Sequence, residues 1–293
     1  RSYESLEVAR EKKYKIDWNK AKIDKPNFMG VKTLADVSIS ELRKYIDWTF
    51  FFVAWGLKEM YPQIMEDSQY AAEAKKLMKD AEEMLDFLEK ENILTIKGVF
   101  GIFPANSVED NIEIYSDETR SKLLTTFNMQ RQQKVNQKEE YRCLADYIAP
   151  KDSGKADYIG GFIVTAGHGV EEYAEKLKKD GDDYRAIMVK VLADRLAEAF
   201  AEQLHMQIRR KYWGYASDED LSIQDMLREK YRGIRPAFGY PCLKEHKEKT
   251  KLFDLLKGEE NTGVSLTETY MMKPAASVCG LIFASEEAKY FEV

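Results

Sequence analysis

The nine residues from Gly233 to Pro241, GIRPAFGYP, form a constellation whose types and spacing suit ligand capture. Two prolines and two glycines in so short a stretch make a stiff, loop-like backbone. Set into it are one guanidinium, Arg235, and one phenol, Tyr240. A guanidinium held in a fixed loop can take a carboxylate through two parallel N–H donors. The same arrangement also serves as an ordinary surface turn, and the residues by themselves leave both readings open.

Other constellations carry less. Glu202-x-x-His205 has the spacing of half a di-iron carboxylate site, but such sites need a second copy and two further carboxylates. No second copy exists in a chain with three histidines. Asp194, Glu198 and His205 instead fall in a narrow arc at about 100° per residue and read as the polar side of a long helix. Gly160-Gly161 and Gly167-x-Gly169 lack the further glycine of a dinucleotide loop and the lysine of a phosphate loop, so they read as turns. There is no Gly-x-Ser-x-Gly elbow. Cys143, Cys242 and Cys279 lie far apart without metal-ligand spacing and suit a reducing compartment better than a disulfide framework. The expectation is a chain with no metal site and no catalytic dyad of its own.

The elements that must position Arg235 can be sketched from periodicity. Residues up to about Val37 have mixed composition and weak pattern, and read as an extended wrapping arm (residues 1–37) on a body spanning residues 38–293. Ser38 and Ser40 can cap a helix from Glu41 to about Gly56. A longer helix is expected from about Ser68 to Glu91, with Ala71, Leu77, Met78, Met84, Leu85 and Leu88 on its apolar side. Strands are expected at Leu94 to Pro104, Asn111 to Tyr115 and Asp157 to Thr165, the last ended by Gly167 and Gly169. The clearest helix spans Asp182 to Trp213, where Met188, Leu192, Leu196, Phe200, Leu204 and Ile208 recur every fourth residue. A helix capped near Ser222 should run to Gly233, another should cover Glu245 to Leu256, and Ser265 to Tyr270 and Val278 to Ala284 read as strands. No alternating strand–helix rhythm appears. The fold class is therefore α+β, a single domain with a largely antiparallel twisted sheet flanked by long helices.

Composition narrows the function. With 293 residues, 44% of them hydrophobic, the chain can bury a substantial core. Its 45 basic against 51 acidic side chains leave a net charge of −6, without the footprint of a general nucleic-acid binder. Arg209-Arg210-Lys211 reads as a short solvated basic face. The apolar run from Phe50 to Trp55 falls far short of the roughly 20 residues that span a bilayer. No signal peptide is visible, and a cytoplasmic setting is expected. A chain that opens on Arg1 rather than Met is expected to be a piece of something longer.

Arg235-x-x-x-Gly239-Tyr240 resembles the Arg-x-x-x-Gly-Tyr signature of the activation domain of cobalamin-dependent methionine synthases. Further segments are similar to that family in the same order: Tyr45 to Thr49 (YIDWT), Phe103 to Asn106 (FPAN), Asn111 to Arg120, Leu144 to Pro150, Gly154 to Gly160, Leu192 to Phe200 (LADRLAEAF), Tyr212 to Tyr215, and Lys289-Tyr290. The match extends from about Ile16 onward. The resemblance implies a domain that presents S-adenosylmethionine to oxidised cobalamin on a neighbouring module. An electron from a flavodoxin-type donor makes the cobalt a nucleophile for the sulfonium methyl. The chain's own task is then positioning, with no general base required.

Carried over residue by residue, the resemblance implies that Arg235 holds the methionine carboxylate, that Ala237 in the signature's middle contributes backbone contacts to the ligand, and that Gly239 belongs to the same binding loop. Asp47 pairs with the ligand's amino group or a ribose hydroxyl, and Tyr290 binds close to the C-terminus. Glu198 and Glu229 supply polar contacts. Tyr240 faces the cobalamin, and Asp194 helps dock its module. Two departures stand out. Phe291 replaces a second tyrosine, removing a hydroxyl but leaving ring or backbone contacts. Phe238 occupies a position that is often proline and is expected to loosen the loop slightly. The cobalt-ligand motif Asp-x-His-x-x-Gly and the zinc-binding cysteines of the other modules are absent from this sequence. The chain alone is thus expected to bind S-adenosylmethionine without making methionine. Two rival readings are a docking domain for the cobalamin module that has lost ligand binding, and a self-sufficient methyltransferase, against which the missing base argues.

Overall fold

A computed structural model describes residues 2–66 and 69–293. The first 37 residues include α1 (Leu6–Glu11) and strand β1 (Gly30–Leu34). Apart from a turn over residues 17–21, the described remainder of this stretch is irregular and lies against the body. Trp213 Nε1 donates to the Asp24 carbonyl at 2.9 Å, Phe28 N–H donates to the Tyr212 carbonyl at 2.8 Å, and Arg232 pairs with Asp24.

The helix expected from Glu41 to Gly56 is broken in two. Ser38 and Glu41 form a reciprocal capping box on α2 (Ile39–Leu42), which passes through a tight turn at Arg43–Tyr45. Ile46 and Asp47 are then extended, and α3 (Trp48–Ala54) starts afresh with Asp47 as its N-cap, accepting from Thr49 N–H at 3.2 Å. An aspartate that satisfies free N–H groups at a helix start competes with helix continuation. This interruption places Asp47 at a helix entrance. Ser40 does not cap; it bonds Glu89 instead. Helix α4 (Ala71–Lys90) buries Leu77, Met78, Met84, Leu85 and Leu88 as its periodicity predicts. The expected start at Ser68 lies outside the described residues.

The sheet is antiparallel throughout. Its spine is β2 (Thr95–Val108), which is flanked on one side by β1 and then β3 (Asn111–Tyr115), with β4 (Leu123–Asn128) beyond β3. On its other side lies β5 (Asp157–His168). Gly160 and Gly161 are not turn residues but lie in the middle of β5, paired with β2. A Cβ on Gly161 would stand 2.7 Å from Leu252 Cδ1, so a helix packed closely on this face requires the glycine. Gly167 is also within β5. Only Gly169, with φ +98°, acts as the expected terminator, and it opens α5 (Val170–Lys179). That lysine- and glutamate-rich segment hid its helix from composition, yet it buries Val170, Tyr173, Ala174 and Leu177.

Helix α6 (Asp183–Gln207), capped by Asp182, packs across β5 and buries Met188, Leu192, Leu196, Phe200 and Leu204. It ends in a wider turn over Ile208–Tyr212. There Arg209 is fully buried and pairs doubly with Glu219, at 2.7 and 2.9 Å, so it does not belong to a solvated basic face. Helix α7 (Ile223–Leu227) starts at the expected Ser222 cap but stops well before Gly233, because Glu229 turns into the left-handed region at φ +58°.

On the opposite face of the sheet lie α8 (Lys249–Leu256) and α9 (Gly258–Thr262). The strand expected at Ser265 to Tyr270 is a small hairpin of β6 (Ser265–Leu266) and β7 (Met272–Lys273), and β8 (Ser277–Ile282) completes the main sheet beside β5. The architecture is a single α+β layer structure with the six-stranded antiparallel sheet between the two larger hydrophobic cores.

Candidate functional site

The Arg235 loop owes its position to the edge of β8 rather than to its prolines alone. Ile234 and Phe283 exchange backbone bonds at 3.1 and 3.0 Å, and Leu281 N–H donates to the Pro236 carbonyl at 3.0 Å. Phe238 N–H donates to the Cys279 carbonyl at 3.2 Å. The loop is therefore a further, irregular edge strand, where proline is tolerated because only its carbonyl is required. A proline at position 238 could not make the Phe238 bond, and the Phe238 ring is buried. The residue expected to loosen the loop ties it down. Gly239 then turns at φ +102°, with its N–H on the Leu243 carbonyl at 2.8 Å, and delivers Tyr240 to the surface.

Arg235 points into the protein from this edge. Its Nη2 donates to Glu202 Oε2 at 2.8 Å, and its Nη1 approaches His205 Nδ1 at 3.1 Å. A guanidinium has no acceptor, so Nδ1 must accept and the histidine proton resides on Nε2. His205 is completely buried and Glu202 is 6% exposed. Burial, reinforced by Arg209 and Arg235, holds the His205 imidazole well below its ordinary pKa and keeps it neutral. Burial opposes the charge of Arg235, but the Glu202 carboxylate outweighs that and drives its pKa upward. The Glu-x-x-His pair is thus neither a metal half-site nor a solvated arc: α6 turns it inward to seat the arginine. Tyr231 closes the seat, its ring edge-on to His205 at 4.6 Å between centroids and 4.2 Å from the Arg209 guanidinium carbon. Burial lifts the Tyr231 phenol to about 12.

In front of Arg235 is an open cleft of about 740 Å³. Asp47 from the start of α3, Glu198 and Glu202 from α6, and Glu229 after α7 bring four carboxylates to its walls, against Arg195 and Arg235. Four negative and two positive charges leave an excess of two negatives, and Asp47, Glu198 and Glu229 make no ion pair among the described residues. Burial raises the carboxyl pKa of both Asp47 and Glu229. Phe50, 57% exposed, stands at the rim with the Arg195 guanidinium 5.5 Å from its ring centroid.

A second cleft of about 730 Å³ shares Glu229 and Tyr240 with the first and is otherwise walled by Pro241, Cys242, Tyr290, Phe291 and Glu292. Tyr240 and Tyr290 have ring centroids 6.1 Å apart, and Tyr240 is 38% exposed. Phe291 packs edge-on to Tyr147 at 6.2 Å. Burial raises the phenols of Tyr240 and Tyr290, which stay protonated.

The structure therefore brings together Asp47, Glu198, Glu229, Arg235 and Tyr240 around one cleft, and joins Tyr290 and Phe291 to it through the second. Ala237 and Gly239 line neither: the Ala237 carbonyl takes the Tyr240 N–H at 3.1 Å, and Ala237 pairs with Gly280 on β8, so both residues shape the loop. Asp194 is exposed one helical turn before Glu198, outside both clefts. Glu202, His205, Tyr231, Tyr45, Phe50 and Arg195 are site residues that sequence reasoning missed, although the Glu202–His205 spacing was the available signal. Among the described residues no cluster of three or more His, Cys, Asp or Glu is placed to hold a metal ion, and no helix is long and apolar enough to cross a membrane.

One fixed guanidinium, an excess of carboxylates and an adjoining aromatic cleft thus lie together against an antiparallel sheet. The model of the vitamin B12-dependent methionine synthase activation domain matches residues 38–293, and the chain belongs to that family. A crystal structure of the MetH reactivation domain bound to AdoHcy is similar over 100% of this chain and 90% of that one, with a TM-score of 0.97 and 48% sequence identity.

Proposed function

We propose that this chain binds S-adenosylmethionine across the two clefts and presents its methyl group to cobalamin on a neighbouring module of the same enzyme, in the reductive remethylation that restores methionine synthase. One observation carries the reading: Arg235 stands in a cleft that otherwise has unpaired carboxylates at Asp47, Glu198 and Glu229. S-adenosylmethionine has two positive groups, the sulfonium and the α-ammonium, and one carboxylate. A site with one fixed guanidinium and an excess of acids complements that charge pattern. The solved relative holds AdoHcy, the demethylated form of the same ligand, which supports the reading.

In this reading Arg235 takes the carboxylate, Asp47 and Glu198 face polar and cationic parts of the ligand, and Glu229 bridges to the second cleft. Tyr290 and Phe291 offer ring faces there to a planar base. Tyr240, exposed at the junction, faces the incoming cobalamin, and Asp194 on the outer face of α6 meets the docking module. Cobalamin, when docked, supplies the nucleophile, and a flavodoxin-type partner supplies the electron. The chain holds the methyl donor and gives up no proton. The parent activity is 5-methyltetrahydrofolate–homocysteine methyl transfer in a cytoplasmic setting. This chain by itself makes no methionine, and residues 1–37 act as a wrapping arm of one domain with residues 38–293.

Isothermal titration with S-adenosylmethionine tests the reading. Saturable one-site binding is expected. The absence of heat at millimolar ligand would favour a docking domain without ligand binding, and methyl transfer to a small acceptor without cobalamin would favour a self-sufficient methyltransferase.

A further inference from the structure

The Glu202–Arg235 pair has one atom too many for a purely structural ion pair. Oε2 of Glu202 is engaged by Arg235 at 2.8 Å. Oε1 is equally shut off from water, yet no donor reaches it among the described residues. A buried carboxylate oxygen without a donor costs about 1–3 kcal/mol, which a fold avoids unless a donor arrives from elsewhere. Glu202 lines the first cleft, so the route of arrival is open. On the other half of the pair, a guanidinium has five N–H donors. Glu202 and His205 account for one each, and no other bond from the Arg235 side chain is present among the described residues. The pair thus holds a negative oxygen and a positive nitrogen 2.8 Å apart at Oε2 and Nη2, with capacity left on the second carboxylate oxygen, Oε1, and on the guanidinium.

An amino-acid tail has the complementary pattern. Its ammonium and carboxylate are joined through one carbon by bonds of about 1.5 Å each, so the two charges have a similar spacing with the opposite sense available. The other acids of the cleft suit the ammonium less well. Asp47 and Glu198 are only half-buried and Glu229 is exposed, so water can serve them, and one Asp47 oxygen already caps α3. His205 cannot substitute, since its Nδ1 accepts from Arg235.

We propose that Glu202 and Arg235 act as a single clamp for the zwitterionic end of the ligand, with Glu202 Oε1 receiving the α-ammonium while Arg235 takes the α-carboxylate. This rests on the S-adenosyl ligand proposed above and adds a selectivity: the site demands a free α-amino group. Glu202 then has two roles, aiming the guanidinium with one oxygen and reading the ligand with the other.

The test compares S-adenosylhomocysteine with its desamino analogue by isothermal titration, on the intact chain and on Glu202→Gln. In the intact chain the parent ligand should bind about 10- to 100-fold more tightly, the worth of one charge-assisted hydrogen bond. In Glu202→Gln that ratio should shrink by about tenfold or more. Equal binding of both ligands by the intact chain overturns the clamp without need of any variant. A ratio unchanged in Glu202→Gln, with both ligands weakened alike, also overturns it, because Glu202 would then only prop the arginine. If the intact chain takes up neither ligand, the S-adenosyl reading itself falls, an outcome distinct from both.

Discussion

The backbone N–H of Arg235 donates to the phenol oxygen of Tyr290 at 3.0 Å. Tyr290 thereby fixes the loop that aims the guanidinium, and its ring also walls the second cleft beside Tyr240. The strap that carries Tyr290 is part of the site twice over, once as a surface and once as a latch.

Tyr290→Phe should separate those roles. The ring stays, the acceptor goes, and a net contribution of about 0.5–1.5 kcal/mol is lost. Affinity for S-adenosylmethionine should fall about 2- to 10-fold, while the thermal midpoint moves little. Titration beside thermal unfolding reads both; unaltered affinity would show that the strap does not position the arginine.

Arg235→Ala should do more than remove a ligand contact. Glu202 is buried and pairs with no other cation among the described residues, so the variant strands a carboxylate and should lose about 3–5 kcal/mol of stability. Replacing both partners, Arg235→Met with Glu202→Met, removes the stranded charge. The double variant should regain most of that stability and still fail to bind. Urea unfolding of the three chains checks this. A single variant as stable as the intact chain would mean that Glu202 has no need of its partner.

Binding of the sulfonium ligand should weaken in acid. Burial raises the carboxyl pKa of Asp47 and Glu229, so both take up protons at higher pH than the ordinary values of about 3.9 and 4.3. Each proton removes a negative charge that favours the cation. Affinity should hold at neutral pH and decline as pH falls toward the raised pKa values, more steeply for S-adenosylmethionine than for uncharged-sulfur S-adenosylhomocysteine. Titrations from pH 7.5 downward decide it: parallel declines for the two ligands would show that these carboxylates do not face the sulfonium.

Much of this site was legible in sequence because its parts depend on local chemistry. The proline–glycine loop around Arg235, the apolar period of α6 and the Ser38 capping box each follow from residue type and spacing. The losses have physical causes as well. Asp47 as an N-cap breaks a helix that hydrophobic period alone would continue. Lysine and glutamate masked α5, whose four buried residues suffice once α6 lies beside it. Gly160 and Gly161 look like a turn until β5 is paired with β2 and β8, with α8 packed on Gly161. Glu202 and His205 read as polar helix residues because their partner, Arg235, is 33 and 30 positions away and approaches only after β8 has captured the loop.

That capture gives the last prediction. Ala237 lies opposite Gly280 on β8, and a Cβ on Gly280 would stand 2.4 Å from the Pro236 carbonyl oxygen and 3.0 Å from Ala237 Cα. Both are backbone atoms that cannot swing aside, so Gly280→Ala must push the loop off the strand, at about 1–3 kcal/mol. The bonds from Leu281 N–H and Phe238 N–H would lengthen with it, and Arg235 would leave its seat on Glu202 and His205. Gly161→Ala is the contrasting variant. Its Cβ would meet the flexible Leu252 side chain, 2.7 Å away on the α8 face of the sheet, and not the backbone of the loop. Both variants should unfold at lower urea concentration than the intact chain. Only Gly280→Ala should also bind S-adenosylmethionine more weakly when compared under conditions where each chain is fully folded. Equal affinity in the two would mean that the seat of Arg235 does not depend on the edge of β8.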